Sequence, residues 1–276
     1  MLGKLFKYEM KSTARTFLPF FAAILAFSLI NKLTTLFFSG SKFFDIPQAL
    51  LMATYILLIA AAFVMCFIVS IQRFYKNLLG PEGYLMFTLP VTTSANILSK
   101  ALAAIIWFLS TIATTLVSVL IVVPDYKWIA EVGNAMTETN AELSVMFGYG
   151  WGTLITILAI FFFLAFVAFV FQVYTSISLG QLSNNHKLAV SFGAYIAVYA
   201  LIQIVSSVLL LMLVNISGIN ILGSISLTDL LSPAALAPVG SFTTGLFLGE
   251  IGLQAILSVV FFFMTRHLLG KRLNLE

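Results

Sequence analysis

Charge is scarce in this chain. Asp, Glu, Lys and Arg make up 9% of its 276 residues, against about 25% in soluble globular proteins. Hydrophobic residues make up 61%, and the mean hydropathy is +1.08. So little polar surface cannot cover a particle in water, and the solvent for most of the chain is expected to be lipid. There is one cysteine, Cys66, so an intramolecular disulfide is excluded and the residue reads as a small packing group. There are two histidines, His186 and His267, both at the edges of apolar segments, and no His-Glu-x-x-His or Gly-x-Ser-x-Gly run. A catalytic or metal-binding constellation is therefore not expected. A Gly-x-x-x-x-Gly-Lys-Ser/Thr phosphate loop is also missing; Gly270-Lys271 has no glycine five residues before it, and Arg272 follows it. The chain is expected to hold no ATP and no other cofactor of its own.

What is present is a series of long apolar runs. Six stand out: Thr13 to Ile30, Leu50 to Ile71, Ala101 to Val123, Gly152 to Tyr174, Leu188 to Val214 and Phe242 to Thr265. Each is long enough to cross about 30 Å of hydrocarbon as a helix rising ~1.5 Å per residue. The expected fold is an all-α membrane protein with six transmembrane helices in a single domain, residues 1–276. The basic residues give the orientation. With the N-terminus inside, Lys4, Lys7, Lys11, Arg15, Arg73, Lys76, Lys100, Lys187, Arg266, Lys271 and Arg272 lie inside. Only Lys32, Lys42 and Lys127 lie outside. This asymmetry places both termini in the cytoplasm. The same placement explains the net charge of +4 without nucleic acid, because the cations mark segment ends and form no phosphate-binding stripe. The first apolar run lacks a small-x-small cleavage site and is read as an uncleaved helix, not a signal peptide.

Outside the runs, residues 124–150 and 215–241 are read as extracellular segments. Neither is long enough to fold alone. A short outer helix is expected from Trp128 to Phe147. The first 16 residues have helical periodicity. Leu2, Leu5, Phe6, Met10 and Thr13 fall near one face, and Lys4, Lys7, Lys11 and Arg15 near the other. They are expected to form an amphipathic helix on the inner, anionic membrane surface.

The cytoplasmic loop at residues 72–100 is the most informative stretch. Gly80 suits a helix stop and Pro81 the first turn of a new helix. Glu82 falls in that first turn, where the helix dipole favours an anion. Pro90 ends the helix by Leu89. Thr93 or Ser94 can cap the next one, which continues through Lys100 into the membrane. The loop therefore holds an isolated helix of about eight residues. Tyr84, Leu85, Met86, Phe87 and Leu89 leave it almost no polar face, and such a patch needs a cover. The membrane surface with neighbouring helix ends, and a partner protein, both satisfy that need.

The run Gly80-Pro81-Glu82-Gly83-Tyr84-Leu85-Met86-Phe87-Thr88-Leu89-Pro90-Val91, followed by Lys100, resembles the inner loop of type-2 ABC transporter permeases, most of all small members from Gram-positive bacteria. The start, Met1-Leu2-Gly3-Lys4-Leu5-Phe6-Lys7-Tyr8-Glu9, is similar to the surface helix of that family. The resemblance implies that the short helix is a coupling helix docking on a separate, soluble ABC ATPase subunit. That subunit would carry ATP and magnesium. The contact residues it implies are Glu82, Gly83, Tyr84, Leu85, Phe87, Leu89 and Pro90. It also implies a second permease chain, as a homodimer or heterodimer, and an exporter of the bacterial cytoplasmic membrane. This chain would then be a transport subunit and not an enzyme. The sequence departs from the family pattern at Leu79-Gly80, where a Glu-Arg pair is common, and at Tyr84, where threonine is common.

Glu250 is the acidic residue that lies within a predicted span, with Gln254 one helical turn further on the same face. They form either a polar stripe on a translocation path or a carboxylate reaching for the outer headgroups. Gly245-x-x-x-Gly249 on that helix permits close approach of a neighbour. The rival to the permease reading is an ATP-independent carrier or channel, or a structural membrane subunit. A carrier is expected to show paired intramembrane charges or repeated halves, and neither is evident in the sequence.

Overall fold

The computed structural model describes residues 2–38, 45–76, 91–123, 126–183, 186–217 and 237–271. It contains seven α-helices among these residues: α1 (Leu2–Phe38), α2 (Asp45–Phe74), α3 (Thr93–Val122), α4 (Tyr126–Phe147), α5 (Trp151–Gly180), α6 (Lys187–Ser217) and α7 (Ala237–Lys271). All but α4 are long and apolar enough to cross a membrane. The described part of the chain is thus an all-α membrane protein with six candidate spans. In hydrocarbon, a helix satisfies its own backbone donors and acceptors, which an open strand cannot do.

The chain divides into two compact units, Met1–Trp128 with Asn274–Glu276, and Ile129–Leu273. In the first, α1, α2 and α3 pack against one another. Helices α1 and α3 run parallel. Glu9 meets Lys100 near their starts, Thr13 meets Trp107 a turn or two later, and Lys32 reaches the carbonyl of Val123 at the far end. Helix α2 runs the other way. Its early residue Leu51 accepts from Asn31, Tyr55 bonds Ser118 at 2.7 Å, and its later Cys66 bonds Thr111. The side chains that α1 buries are Glu9, Thr13, Phe17, Phe21, Ile24, Ser28 and Asn31. Their spacing of three or four residues makes one continuous stripe. Pro19 sits in this helix on the exposed side, where its missing N–H disturbs no contact with α2 or α3.

That stripe changes the expected picture of the N-terminus. The amphipathic periodicity is present, with Lys4, Lys7, Lys11 and Arg15 exposed and Leu2, Leu5, Phe6 and Met10 half-buried. There is no break between the first turns and the first span: α1 is one helix of 37 residues. Glu9 and Thr13 bond α3, and these contacts hold the first turns against the bundle.

The second unit repeats the arrangement with different residues. Helices α5 and α7 are parallel, joined near their starts by Tyr149 and Thr244 at 2.9 Å and near their ends by Thr175. The Thr175 hydroxyl contacts the Phe261 carbonyl at 3.0 Å and the Thr265 hydroxyl at 2.9 Å. Helix α6 packs on both. The expected outer helix is present as α4, and it ends at Gly148, whose φ of +79° and N–H bond to the Ser144 carbonyl form a left-handed cap. Trp151 then fastens α5 back to α4 through its backbone N–H to Asn140 and its indole N–H to Thr139. Residues 218–236, most of the second expected extracellular segment, lie outside the described residues.

Gly180 closes α5 where α6 approaches. A Cβ there would lie 2.7 Å from the Lys187 carbonyl oxygen and from the Ser191 Cα, too near for either backbone to yield. Gly193 on α6 has nothing within 4 Å of that position. Gly180→Ala is expected to cost about 1–3 kcal/mol through overpacking, whereas Gly193→Ala should be neutral or slightly stabilising. Thermal melting of the two variants in detergent separates these outcomes; equal melting points would mean the contact at Gly180 is not tight.

Candidate functional site

The N-terminal end of the first unit gathers three chain segments. There α1 begins, α2 ends at Phe74 and α3 begins at Thr93. Residues 77–90 leave from α2 and return to α3 at this end, so whatever holds these helix ends also fixes the base of that segment. The described part of the return is ordered by Thr92. It is extended (φ −71°, ψ 146°), and its hydroxyl accepts from the Ala95 N–H at 3.3 Å. The cap is thus one residue earlier than expected at Thr93 or Ser94. Thr92 fits the role because its side-chain oxygen reaches a backbone donor that the first turn leaves without a partner.

Two turns into α3 lies Lys100, only 2% exposed. Its ammonium forms an ion pair with the carboxylate of Glu9 on α1, itself 8% exposed. A buried cation and a buried anion are each costly alone, so each fixes the position of the other. The chain elaborates this pair along the helix axes. Glu9 also accepts, through its backbone carbonyl, from the Thr13 hydroxyl at 2.7 Å. The Trp107 indole N–H donates to Thr13 at 2.6 Å. The Trp107 ring stacks on Phe17, with centroids 4.6 Å apart and an 11° tilt, and lies close to Phe21. Cys66 of α2 completes this cluster and bonds Thr111, one turn beyond Trp107. Lys100, Trp107 and Thr111 fall on one face of α3, and the small residues Ala103 and Ala104 between them let α1 and α2 come close. A narrow cleft beside the pair is lined by Ser70, Arg73, Lys100 and Trp107 among others, and has room for about one water molecule.

The arrangement ties helices to one another. It joins the base of the 77–90 segment to α1 by a charge-assisted bond and continues inward as a polar ladder that ends in a packed aromatic cluster. Among the described residues no group of three or more His, Cys, Asp or Glu could hold a metal ion.

The sequence-predicted docking residues Glu82, Gly83, Tyr84, Leu85, Phe87, Leu89 and Pro90 lie outside the described residues. Lys100, read from the sequence as a boundary cation, is buried and paired. Glu250 and Gln254 lie a turn apart on α7, in the second unit. Both are half-buried, and Glu250 has no ion pair or hydrogen bond among the described residues. The Gln254 side-chain oxygen is buried without a hydrogen-bond partner. Of the two glycines in the Gly245-x-x-x-Gly249 run, Gly249 does admit a neighbour, with Leu209 of α6 lying 3.2 Å from where its Cβ would be; Gly245 faces open space. The sequence alone gives no such role to Glu9, Thr13 or Trp107. The signal available is one acidic residue amid four basic ones, followed four residues later by Thr13 and then by Phe17 and Phe21 at helical spacing.

Comparison of the chain with family models, with curated proteins and with solved structures gave no significant match. The geometry of the site therefore carries what can be said of it.

Removing one partner of a buried pair strands the other. Lys100→Met alone, or Glu9→Gln alone, is expected to destabilise the first unit by about 3–5 kcal/mol, and the double variant by much less. The check is a double-mutant cycle of melting temperatures in detergent. Single variants as stable as the parent would show the two charges to be solvated. Trp107→Phe keeps the stack but loses the bond to Thr13, so a smaller loss of about 1 kcal/mol is expected in the same assay.

Proposed function

We propose that the chain is the membrane-spanning permease subunit of an ATP-binding cassette transporter, driven by a separate ATPase subunit. One observation carries the reading. The apolar segment that resembles a permease coupling loop, residues 80–91, leaves and re-enters the bundle at the end where Lys100 is locked to Glu9. A segment that receives force from a partner must be anchored to more than its own two helices. The ion pair provides that anchor, since a push on the α3 start is transmitted to α1 as well as α2.

On this reading the short helix formed by Glu82 to Leu89 seats on the soluble ATPase, which holds ATP and magnesium. Closure of the ATPases moves the inner ends of α1, α2 and α3 together, and the path switches its exposure. The ATPase must bind the two conformations unequally for this to work. The direction is export, and the setting is a bacterial cytoplasmic membrane with both termini in the cytoplasm. The basic bias of Lys4, Lys7, Lys11, Arg15, Arg73 and Lys76 supports that orientation. Glu250 and Gln254 are the polar groups assigned to the path.

The test is affinity purification of the tagged chain from its native host in mild detergent. A soluble P-loop ATPase should be retained, and Phe87→Asp should release it while membrane insertion persists, because an unpaired charge in a docking patch costs several kcal/mol. Recovery of the chain without any ATPase, under conditions that keep a known complex intact, would favour an ATP-independent carrier or a structural subunit. Retention of the ATPase by the Phe87→Asp variant would move the docking surface elsewhere.

A further inference from the structure

Helix α4, at 22 residues, is long enough to cross a bilayer, but its composition does not suit a span. Its residues are sorted by side. At ~100° per residue, Trp128, Ile129, Val132, Met136, Leu143 and Met146 fall within an arc of about 100°. All four charged residues, Lys127, Glu131, Glu138 and Glu142, lie outside that arc, together with Asn134 and Thr137. Thr139 is the polar residue inside the stripe, and its hydroxyl is satisfied. It donates to the Ala135 carbonyl at 2.7 Å and accepts from the Trp151 indole at 3.0 Å. The protein covers only the later part of the stripe. Met136, Leu143 and Met146 are half-buried, whereas Ile129, Val132 and Trp128 are exposed, the last to 51%. An apolar stripe left open in this way needs a cover.

The connections of α4 identify that cover. Three residues separate Val122, at the end of α3, from Tyr126, and three separate Phe147 from Trp151, at the start of α5. A link of that size reaches about 14 Å at most. The helix itself is about 33 Å long. Standing upright, it would carry one end far beyond that reach, so it lies along the surface at which α3 ends and α5 begins. Two contacts hold it there. Trp151 grips Thr139 and Asn140, and Gly240, near the start of α7, lies against the Met146 carbonyl. Thr139 belongs to the stripe, as do the half-buried Met136, Leu143 and Met146. The stripe therefore faces the spans and the charges face away. Its open part, Trp128 to Val132, looks in the same direction.

We propose that α4 lies in the headgroup layer of the bilayer with Trp128, Ile129 and Val132 embedded in lipid, and that it sets the depth at which α5 and α7 begin. The stripe continues from spans that are themselves in lipid, so the same solvent meets both. Tryptophan suits this boundary, because its ring is apolar and its N–H can face water. The polar side carries three glutamates and one lysine. Its net charge is negative, so apolar burial holds the helix and no anionic lipid is required. The inference concerns a lipid surface, goes beyond the permease reading and does not depend on it.

Spin labelling of the full chain in nanodiscs of phosphatidylcholine, a zwitterionic lipid, tests it. Cys66→Ala removes the native thiol. Ile129→Cys, Val132→Cys, Glu131→Cys or Glu138→Cys is then introduced singly and labelled. All four side chains are exposed, so the labels should leave the fold intact. Collisions of each label with oxygen, which concentrates in lipid, are compared with collisions with a water-soluble nickel chelate. The ratio of oxygen to nickel collisions at Ile129 and Val132 should exceed that at Glu131 and Glu138 at least several-fold. Equal and high access of the nickel chelate to all four positions would place the helix in water and overturn the inference. Shielding of Ile129 and Val132 from both reagents would reveal a protein cover, from this chain or another, and would overturn it too.

Discussion

In hydrocarbon, an unpaired polar group costs several kcal/mol, and no water is at hand to relieve it. That constraint makes the described chain helical, and it gives each polar side chain within a span unusual weight. Apolar contacts between helices distinguish poorly among partners, because lipid tails compete for the same surface. The contacts that fix which helix lies beside which are therefore the polar ones. In the first unit these are Glu9 with Lys100, Thr13 with Trp107, Cys66 with Thr111 and Tyr55 with Ser118. In the second they centre on Thr175, Thr265 and the Phe261 carbonyl.

The two units reach the same internal arrangement by different chemistry. Each sets its first and third spans parallel and its second against both. The first unit joins the parallel pair with a full ion pair near one end and aromatic stacking behind it. Among the described residues the second uses neutral groups, hydroxyl pairs near both ends and ring contacts of Phe161 with Phe247 and Phe171 with Phe262 between them, which a helix interior satisfies more cheaply than charges. A charge-assisted link is stronger and more directional than a hydroxyl link. In the first unit such links stand at both ends of the parallel pair, Lys100 with Glu9 near the starts and Lys32 with the Val123 carbonyl at the far end.

Some of this was legible in the residues. The six spans follow from composition and run length, because hydrocarbon thickness sets a minimum that few other constraints can mimic. The helix α4 was legible from Trp128 to Phe147, to within two residues at its start. The ends of the spans were less so: α1 continues back to Leu2 and α7 begins at Ala237, because polar residues at a boundary can extend a helix as readily as end it. Glu9 was hidden for a physical reason. A lone carboxylate among Lys4, Lys7, Lys11 and Arg15 has many possible local partners. Only packing shows that its partner is a lysine 91 residues away.

The parallel pairing of α1 with α3 bears on how the protein is made. Antiparallel neighbours can zip together as a hairpin as soon as the second helix emerges. Parallel ones cannot, because the chain must first cross the bilayer and come back. Glu9 is synthesised long before Lys100, with all of α2 in between. Until the third helix is made, the carboxylate lacks the partner it has in the folded protein, so the tie that fixes α1 against α3 cannot form earlier. Lys100 supplies that partner, so the first unit cannot reach its final packing before α3 is in place.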